Sequence, residues 1–400
     1  MMTPKERILA TLKGQPTDAL PFVPRIDNWF YAQKAQGTLP DRLKNATLQE
    51  MVDDLGIGYH SIIPNFQGWR DGGCQDLHVG LGLYDLALSP WHIELHNVGI
   101  KSERLPGGKH RVEYETPYGV ISTETVYTDA MKKNGITLYV ITKHAIEDCD
   151  DYDAAAYIFE NMEVVEDWER FAQYRQDVVG DRGVAVALSA MWASGGHYLI
   201  KELMGFEDFY SERIDDPEAL RQMADKLQPF CDKLFSAALN SPAEVILSGA
   251  NYDFTFTSPD VVRDFVVPQL KKQSDQAHQQ GKFIATHTDG ENKMLLPLYL
   301  EAGFDIADSI CPKPMTSISL KETVDVFDHK ITIWGGVPST ALVKDCTSDS
   351  DFLKIVDQTL QDIGKGDHFI VSVADTLPAA ADFERFLYLK KKVEEFGPVK

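Results

Sequence analysis

The stretch KFIATHTDGENKMLLPLYLEAGFDIADSI, residues 282–310, decides the fold. An apolar, strand-like run ends at a polar segment, a helix-like segment follows, and a second short apolar run comes directly after it. A strand, a helix and another strand in so short a span predict parallel strands joined by a helical crossover. The polar segment contains His287 and Asp289, two residues apart, so it is either a turn or the place where the chemistry happens.

The same alternation recurs along the chain. Near-continuous apolar strands that alternate with helices are typical of a parallel sheet buried on both faces. Eight such strands predict an α/β fold, a closed (β/α)8 TIM-type barrel. A doubly wound open sheet is the alternative, although no GxGxxG follows the first strand. The predicted strands are residues 21–25, 57–63, 183–190, 244–251, 282–288, 304–309, 330–336 and 368–375.

Residues 92–145 have a different character. HRVEYETPYGVISTETVYT (110–128) alternates apolar and polar residues around Pro-Tyr-Gly, which is typical of antiparallel hairpins. We interpret this region as an inserted antiparallel β-hairpin region within a single barrel domain that covers residues 1–400. Helix starts are marked elsewhere by capping boxes at Thr3 and Thr47 and by Ser258-Pro259.

Charge and composition exclude several classes of function. The net charge of −22 over 400 residues disfavours nucleic acid and anionic membranes as partners. The five cysteines are scattered and form no CxxC pair, which favours a reducing compartment. The charged, amphipathic N-terminus is unlike a signal peptide, and no apolar run reaches membrane-spanning length. A cytoplasmic protein is expected.

The active site of such a barrel lies at the carboxyl ends of its strands. Polar residues at those ends are therefore the candidates for binding and catalysis. Along the chain they are Arg25 and Asp27, Asn65 and Gln67, Asn251 and Asp253, His287 and Asp289, Asp308, and Asp375.

Aromatic residues cluster at the same predicted level of the barrel. Carboxylates, a histidine and aromatics on one rim suit a small apolar or aromatic ligand held over a polar centre. Singly, each residue also has a structural interpretation, because Asp at a strand end often caps a helix and aromatics often fill the core. The candidates are Trp29, Phe30, Trp69, Trp192, Tyr252, Phe254, Phe256 and Trp334.

Five segments resemble the uroporphyrinogen decarboxylase superfamily. The opening helix and the segment after the fifth strand resemble the corresponding parts of that family. So do a helix that begins at Ser-Pro, the seventh strand and the final strand turn. The resemblance covers nearly the whole chain and implies a TIM-type barrel. The segments are TPKERILATLKGQPTDALPF (3–22), SPDVVRDFVVPQLKK (258–272), THTDGENKMLLPLYLEAGFDIADSI (286–310), ITIWGGVPSTALV (331–343) and VSVADTLP (371–378).

One branch of that superfamily decarboxylates an octa-anionic tetrapyrrole with an arginine-rich loop after the first strand. Here the loop reads PRIDNWFY (24–31) and keeps one arginine, Arg25. The aspartate that the family carries after the second strand is absent from SIIPNFQGW (61–69). Decarboxylation is therefore the alternative, together with a catalytically degenerate barrel that serves as a scaffold.

The resemblance to the other branch, corrinoid-dependent methyltransferases, implies a metal site. Many of these enzymes hold zinc on a His-x-Cys pair after the fifth strand and a later Cys near the eighth. His287 matches the histidine, while Asp289 and Asp375 stand where the cysteines would be. Carboxylates are harder ligands than thiolates and leave zinc more electrophilic. In this comparison Cys311 matches no motif position and is interpreted as a buried bystander.

The resemblance thus implies a methyltransferase with His287, Asp289 and Asp375 as catalytic metal ligands. The methyl donor would be a small molecule such as a methoxylated aromatic compound. The acceptor would be the cobalt of a corrinoid carried by a separate protein, since no Asp-x-His-x-x-Gly stretch is present. The competing mechanism has no metal and uses His287 as a general acid.

Overall fold

The computed structural model of this chain describes residues 1–61, 80–83, 88–134, 136 and 138–400. Within those residues the strands, in chain order, are β1 (Trp91–Leu95), β2 (Gly99–Leu105), β3 (Lys109–Thr116), β4 (Gly119–Val126), β5 (Val140–Lys143), β6 (Met162–Glu166), β7 (Val186–Leu188), β8 (Val245–Ala250), β9 (Phe283–His287), β10 (Ile306–Asp308), β11 (Thr332–Val337) and β12 (Phe369–Val373).

Helices precede or separate most of these strands. Three segments continue α-helices as π-helix, at Arg175–Val179, Leu199–Leu203 and Val262–Val266. The described α-helices are Pro4–Leu12, Asp27–Gln36, Leu48–Leu55, Asp129–Lys133, Tyr152–Glu160, Trp168–Tyr174, Gly195–Tyr198, Phe206–Asp215, Pro217–Asn240, Pro259–Val261, Val267–Gln279, Leu296–Ala302, Leu320–Phe327, Asp349–Asp362 and Phe383–Phe396.

Strands β7 to β12 form one parallel sheet in which each strand pairs with the next along the chain. Every residue of β8, β11 and β12 is buried, as expected for a sheet covered on both faces. Successive strand residues contribute to two different apolar clusters. Ile246 and Ile284 belong to the first, and Val245 and Ala285 to the second. The six strands predicted between residues 183 and 375 are thus confirmed.

The closed eight-stranded barrel is not confirmed, because the described strands form an open six-stranded parallel sheet. The predicted first strand makes one isolated bridge, between Phe22 and Val371. Pro21 and Pro24 flank this bridge and lack the N–H group that a ladder needs. Residues 57–61 of the predicted second strand have no strand conformation, and Ile62 and Ile63 lie outside the described residues.

Strands β2 to β5 form a separate antiparallel sheet, and β1 pairs with β6. The pairing of β3 with β4 runs to Thr116 opposite Gly119, so the chain reverses at the Pro-Tyr step that the sequence indicated. An insertion within a single domain stays a prediction for residues 92–145.

Three predicted helix starts are confirmed. The side chains of Thr3 and Thr47 each accept a hydrogen bond from the backbone N–H of a glutamate three residues later, and both capping boxes are complete. Ser258 caps the helix that begins at Pro259. No helix among the described residues is both long and apolar enough to cross a membrane.

Gly249 lies at an irregularity where the pairing of β8 with β9 shifts register. Its φ is +78°, and an added Cβ would collide with the hydroxyl group of Tyr252 and lie 2.8 Å from Ala193 Cβ. That hydroxyl group is fixed by a 2.8 Å hydrogen bond to Thr286 on β9. Glycine is therefore required here by both backbone conformation and space.

We predict that Gly249→Ala lowers the free energy of unfolding by about 2–5 kcal/mol, since strain and overpacking add. Gly281→Ala is the matched control. Gly281 has a φ of +68° but open space around its Cβ position, so it should lose about 1–2 kcal/mol from strain alone. Urea denaturation measures both values. Equal losses would show that the contact with Tyr252 is unimportant.

Candidate active site

The carboxyl ends of the parallel strands carry residues in the left-handed backbone conformation. Asn251 follows β8 with a φ of +60°, Ser309 follows β10 with a φ of +71°, and Asp375 lies two residues after β12 with a φ of +57°. Such values are uncommon for residues other than glycine. The backbone N–H of Asn251 donates to the His287 carbonyl (3.0 Å), and that of Asp375 donates to the Ser309 hydroxyl group. These turns bring residues from separate strands together at one edge.

His287, the last residue of β9, is fixed by Asp308, the last residue of β10. Its Nδ1 lies 2.6 Å from Asp308 Oδ2, and both side chains are buried. Because the two residues are register partners, strand pairing itself sets this distance. Burial opposes the ionisation of Asp308, yet hydrogen bonding to His287 and His60 holds the pKa of this carboxyl group well below its usual range. The Nε2 atom of His287 is thereby turned away from Asp308.

Two further carboxylates lie beside His287 Nε2. Asp289 Oδ1 and Asp375 Oδ1 are each 3.7 Å from this atom. Burial lowers the pKa of the His287 imidazolium, but Asp289, Asp308 and Asp375 outweigh it and raise the pKa to about 9. Burial and the nearby charge of Asp375 raise the pKa of Asp289, while His287 opposes that change.

Arg25 is buried and contacts Asp375, a member of the cluster formed by His287, Asp289, Asp308 and Asp375. Its Nη1 lies 3.1 Å from Asp375 Oδ1, and its Nε lies 3.4 Å from Asp27 Oδ1. Burial lowers the pKa of the guanidinium group, but Asp27, Asp375 and Asp308 raise it overall. Within the described chain, Arg25 Nε, Asp27 Oδ1 and Asp289 Oδ1 are buried without a hydrogen-bond partner. Arg25 Nε and Asp27 Oδ1 face each other at 3.4 Å. Leaving Asp289 Oδ1 buried and unpartnered is costly, which favours a ligand at this oxygen.

The donors fit a metal ion in part. Two ligands at 2.0–2.2 Å from a tetrahedral zinc ion lie about 3.4 Å apart, close to the 3.7 Å between His287 Nε2 and each carboxylate. Asp308 on Nδ1 is the carboxylate partner that a metal-ligating histidine usually has. The three predicted ligands do not, however, converge to within 4.8 Å of one another as a trio. A three-ligand site needs Asp289 and Asp375 to approach each other.

Elsewhere in the described residues, another group of possible metal ligands lies closer together. Glu94, His96 and Glu163 offer ligand atoms that all lie within 4.8 Å of one another. Glu94 and Glu163 are directly opposite in the β1–β6 pair, and His96 Nε2 lies 3.1 Å from Glu163 Oε2. All three side chains are exposed, so water already solvates them. This surface group was not singled out from the sequence and could hold a metal ion.

Other predicted site residues connect the loops around His287. Asp253 accepts hydrogen bonds from the backbone N–H groups of Thr255 (2.8 Å) and Glu291 (3.1 Å), which ties the loop after β8 to the loop after β9. Burial opposes ionisation of Asp253, but these bonds and that from the Thr255 side chain lower its pKa. Phe254 donates its backbone N–H to the Glu291 carbonyl (3.0 Å) and packs partly buried against the core.

Several predicted aromatic residues lie in the core. Trp29 stacks on Phe383 at 4.9 Å and donates to the Ala381 carbonyl, while Phe30 is buried beside Tyr31. Trp192 is buried with its ring edge-on to His197 at 5.3 Å. Trp29 and Phe30 belong to the buried core, which follows the ordinary tendency of aromatics to fill cores, and their role in binding stays a prediction. Asn65 and Trp69 lie outside the described residues.

Sequence reasoning missed two residues that interact with the cluster. His60 Nε2 lies 3.4 Å from Asp308 Oδ1. His60 lies inside a predicted strand, and nothing in the sequence there indicated that it lies near the site. Burial lowers the pKa of Lys201 to about 8, while the charges of Asp289 and Asp253 act in the opposite direction. Burial, Asp289 and Asp375 raise the pKa of Cys311 to about 12. Cys311 is buried, as predicted, and its interpretation as a bystander stays a prediction.

The fold and the cluster together define a class: an α/β protein with a parallel sheet and a buried His-carboxylate site at the strand ends. The sequence model of the uroporphyrinogen decarboxylase (URO-D) family matches residues 145–396. The chain belongs to this family. The matched range includes β7 to β12 and hence the strands that carry His287, Asp308 and Asp375.

A solved structure has the same overall fold. It is a methyltransferase from Methanosarcina mazei, 16% identical in sequence, with a TM-score of 0.59 over 99% of each chain. At this identity the likeness shows the fold alone. No curated protein matches the sequence.

We predict that chelator-treated protein loses stability as pH rises from about 6.5 to about 9. The folded-state pKa of His287 lies above the value of about 6.5 expected in the unfolded chain, so its contribution is complete below pH 6.5 and is lost as pH rises through 9. Urea denaturation of wild type and His287→Gln at pH 6 and pH 9.5 checks this. The variant should show a smaller pH-dependent loss, and an equal loss would contradict the assignment.

Proposed function

We propose that this protein is a corrinoid-dependent methyltransferase. It moves a methyl group from a small methylated donor, a methoxylated aromatic compound, to the cobalt of a corrinoid on a separate protein. The observation that carries the proposal is the geometry at His287. Its Nδ1 is anchored on Asp308, and its Nε2 faces oxygens of Asp289 and Asp375 at 3.7 Å. Family membership supports an enzyme, and the methyltransferase with the same fold supports the reaction type.

In this proposal His287, Asp289 and Asp375 hold a zinc ion. When bound, the ion supplies Lewis-acid polarisation of the donor's oxygen or nitrogen atom. The chain's own residues do the rest. Asp308 orients the imidazole, and Arg25 compensates the charge of Asp375 through its 3.1 Å contact. The corrinoid would be a substrate: the carbon–heteroatom bond of the donor would break with its electron pair on the heteroatom, and the reduced cobalt would supply the pair that accepts the methyl group.

Two exposed aromatic rings support an aromatic donor. Phe206 and Phe256 lie 5.2 Å apart, and Phe256 comes from the loop after β8, at the same end of the sheet as His287. Lys201 Nζ lies 5.4 Å from the Phe206 ring, and the charge of Asp289 raises the pKa of the same ammonium group against the effect of burial. Exposed aromatic surface beside a polar centre suits a ring that carries a methoxy group.

The proposal includes closure of the barrel. Backbone hydrogen bonds run from the β12 edge across the first two segments towards β7. Val23 N–H donates to the Val371 carbonyl (3.0 Å), and Gly58 N–H donates to the Phe22 carbonyl (2.9 Å). Tyr59 N–H then donates to the Arg182 carbonyl (2.8 Å), four residues before β7 begins. These single bonds support a ring of eight segments around one site.

Zinc binding tests the metal site. Purified protein loaded with zinc should retain about one ion, and His287→Ala should lose it. His96→Ala is the matched control, because it removes the imidazole of the exposed Glu94–His96–Glu163 group and leaves the strand ends intact. If zinc is retained in His287→Ala and lost in His96→Ala, the ion is on the surface. If the wild type stays metal-free, the result favours the alternative mechanism, in which His287 acts as a general acid without a metal.

Methyl transfer tests the reaction. A panel of methoxylated aromatics, methylamines and methyl thiols, with reduced corrinoid as acceptor, is followed by corrinoid absorbance. We expect turnover with a methoxylated aromatic and a loss of about 100-fold or more in His287→Ala, since removal of one preorganised electrostatic group costs that much. His278→Ala, which breaks a His-Asp pair at the opposite end of β10, should keep full activity.

A porphyrinogen assay tests the decarboxylase alternative. Arg25 is already engaged by Asp27 and Asp375, which leaves little free positive charge for substrate carboxylates. Incubation with a porphyrinogen should release no CO2. Efficient release would favour decarboxylation over methyl transfer.

A further inference from the structure

We propose that His60 is a positioning residue that acts on His287 through Asp308. The inference rests on the proposed function in that His287 is the group being positioned. It concerns a residue that lies outside the predicted site, on the chain segment after Gly58.

The first observation is that Asp308 is shared by two imidazoles. Its Oδ2 lies 2.6 Å from His287 Nδ1, and its Oδ1 lies 3.4 Å from His60 Nε2. The side chains of His60 and Asp308 are each 3% exposed, so water does not compete for these contacts. Contacts at both oxygens restrict rotation of the carboxylate about its χ2 bond. Its plane is therefore set by the two rings together.

The second observation is that the backbone of Asp308 is fixed independently. Its carbonyl oxygen accepts hydrogen bonds from the backbone N–H and the hydroxyl group of Thr288, both at 2.7 Å. Ser309 N–H donates to the Trp334 carbonyl at 2.7 Å. Within the described chain, the remaining freedom of Asp308 is rotation of its carboxylate, and His60 is the group that meets the oxygen that His287 does not use.

The third observation concerns the setting of His60 itself. Its ring packs edge-on against Trp334, with 5.2 Å between centroids and an angle of 75°. Trp334 is in turn held by donating Nε1–H to the Val23 carbonyl at 3.0 Å. In the part of the chain that the structure describes, His60 Nδ1 is buried and has no hydrogen-bond partner. An unpartnered buried polar atom is costly, so packing alone would favour an apolar side chain here.

Taken together, His60 sets the plane of Asp308, and Asp308 sets the direction in which His287 presents Nε2. Loss of the His60 contact leaves the His287–Asp308 bond possible but frees the carboxylate to rotate. The imidazole would then sample directions that do not face Asp289 and Asp375. Removal of a group that contacts a metal ligand and fixes its orientation typically weakens metal affinity by about 10–100-fold.

The experiment compares His60→Leu with His60→Gln. Leucine fills space without a polar atom, whereas the amide nitrogen of glutamine takes the place of imidazole Nε2. His278→Leu is the matched control, since His278 makes a 3.0 Å contact with Asp305 on the same strand segment, away from the site. Zinc affinity is measured by chelator competition. We expect His60→Leu to bind zinc about 10–100-fold more weakly, and His60→Gln and His278→Leu to stay near the wild-type value.

A second measurement needs no metal. The low-field proton resonance of His287 Nδ1–H, assigned by its loss in His287→Gln, reports the bond to Asp308 in chelator-treated protein at fixed pH. It should shift or broaden in His60→Leu and recover in His60→Gln, with thermal unfolding as the control for folding. If the wild type binds no zinc but the resonance responds to His60, the metal proposal fails and the positioning role stands. If the resonance and any zinc affinity are unchanged in His60→Leu, the positioning role is overturned.

Discussion

The hydrogen bond between His287 and Asp308 is the interaction on which the site depends. The two residues end neighbouring strands and are register partners, so the parallel pairing of β9 with β10 places them side by side, with 2.6 Å between His287 Nδ1 and Asp308 Oδ2. Both are buried, and in a low-dielectric setting such a charge-assisted bond is strong. The bond gives His287 one fixed orientation. The contacts of His287 with Asp289 and Asp375 are made by the opposite side of the ring.

The cluster places three carboxylates, of which only Asp308 is fully buried, around the imidazole of His287. Asp308 keeps its charge because imidazoles bond to it, whereas the pKa of Asp289 rises because burial and Asp375 outweigh His287. Arg25 offsets the negative charge of Asp375 by donating a hydrogen bond to its carboxylate. The raised pKa of His287 has the same origin, since three acids favour its proton. A zinc ion would compete for the same Nε2 position as that proton, so the metal-dependent mechanism and the general-acid mechanism exclude each other at this atom.

The sequence predicted the parallel strands and helix starts where a local signal was strong. Thr47 illustrates this, because a capping box depends on residues three apart in the chain. The strand at 282–288 was recognised because its apolar run is bounded by turn residues. The first two strands were predicted less well. Pro21 and Pro24 reduce the first to a single bridge, and this effect depends on which backbone groups face a neighbour.

By itself the sequence determined a parallel α/β architecture, membership of a recognisable family, and His287, Asp289 and Asp375 as the residues to examine. The architecture follows from periodicity, and the family and the three residues follow from the resemblance of local motifs, so all of them depend on local properties of the chain. Only the tertiary structure decided that Asp308 contacts Nδ1 of His287 and that His60 contacts Asp308. It also decided that Trp29 and Phe30 are buried in the core and that Arg25 is paired with the carboxylate of Asp375. These facts depend on distances between residues that are 21 to 352 positions apart in the chain, and strand register and packing set such distances.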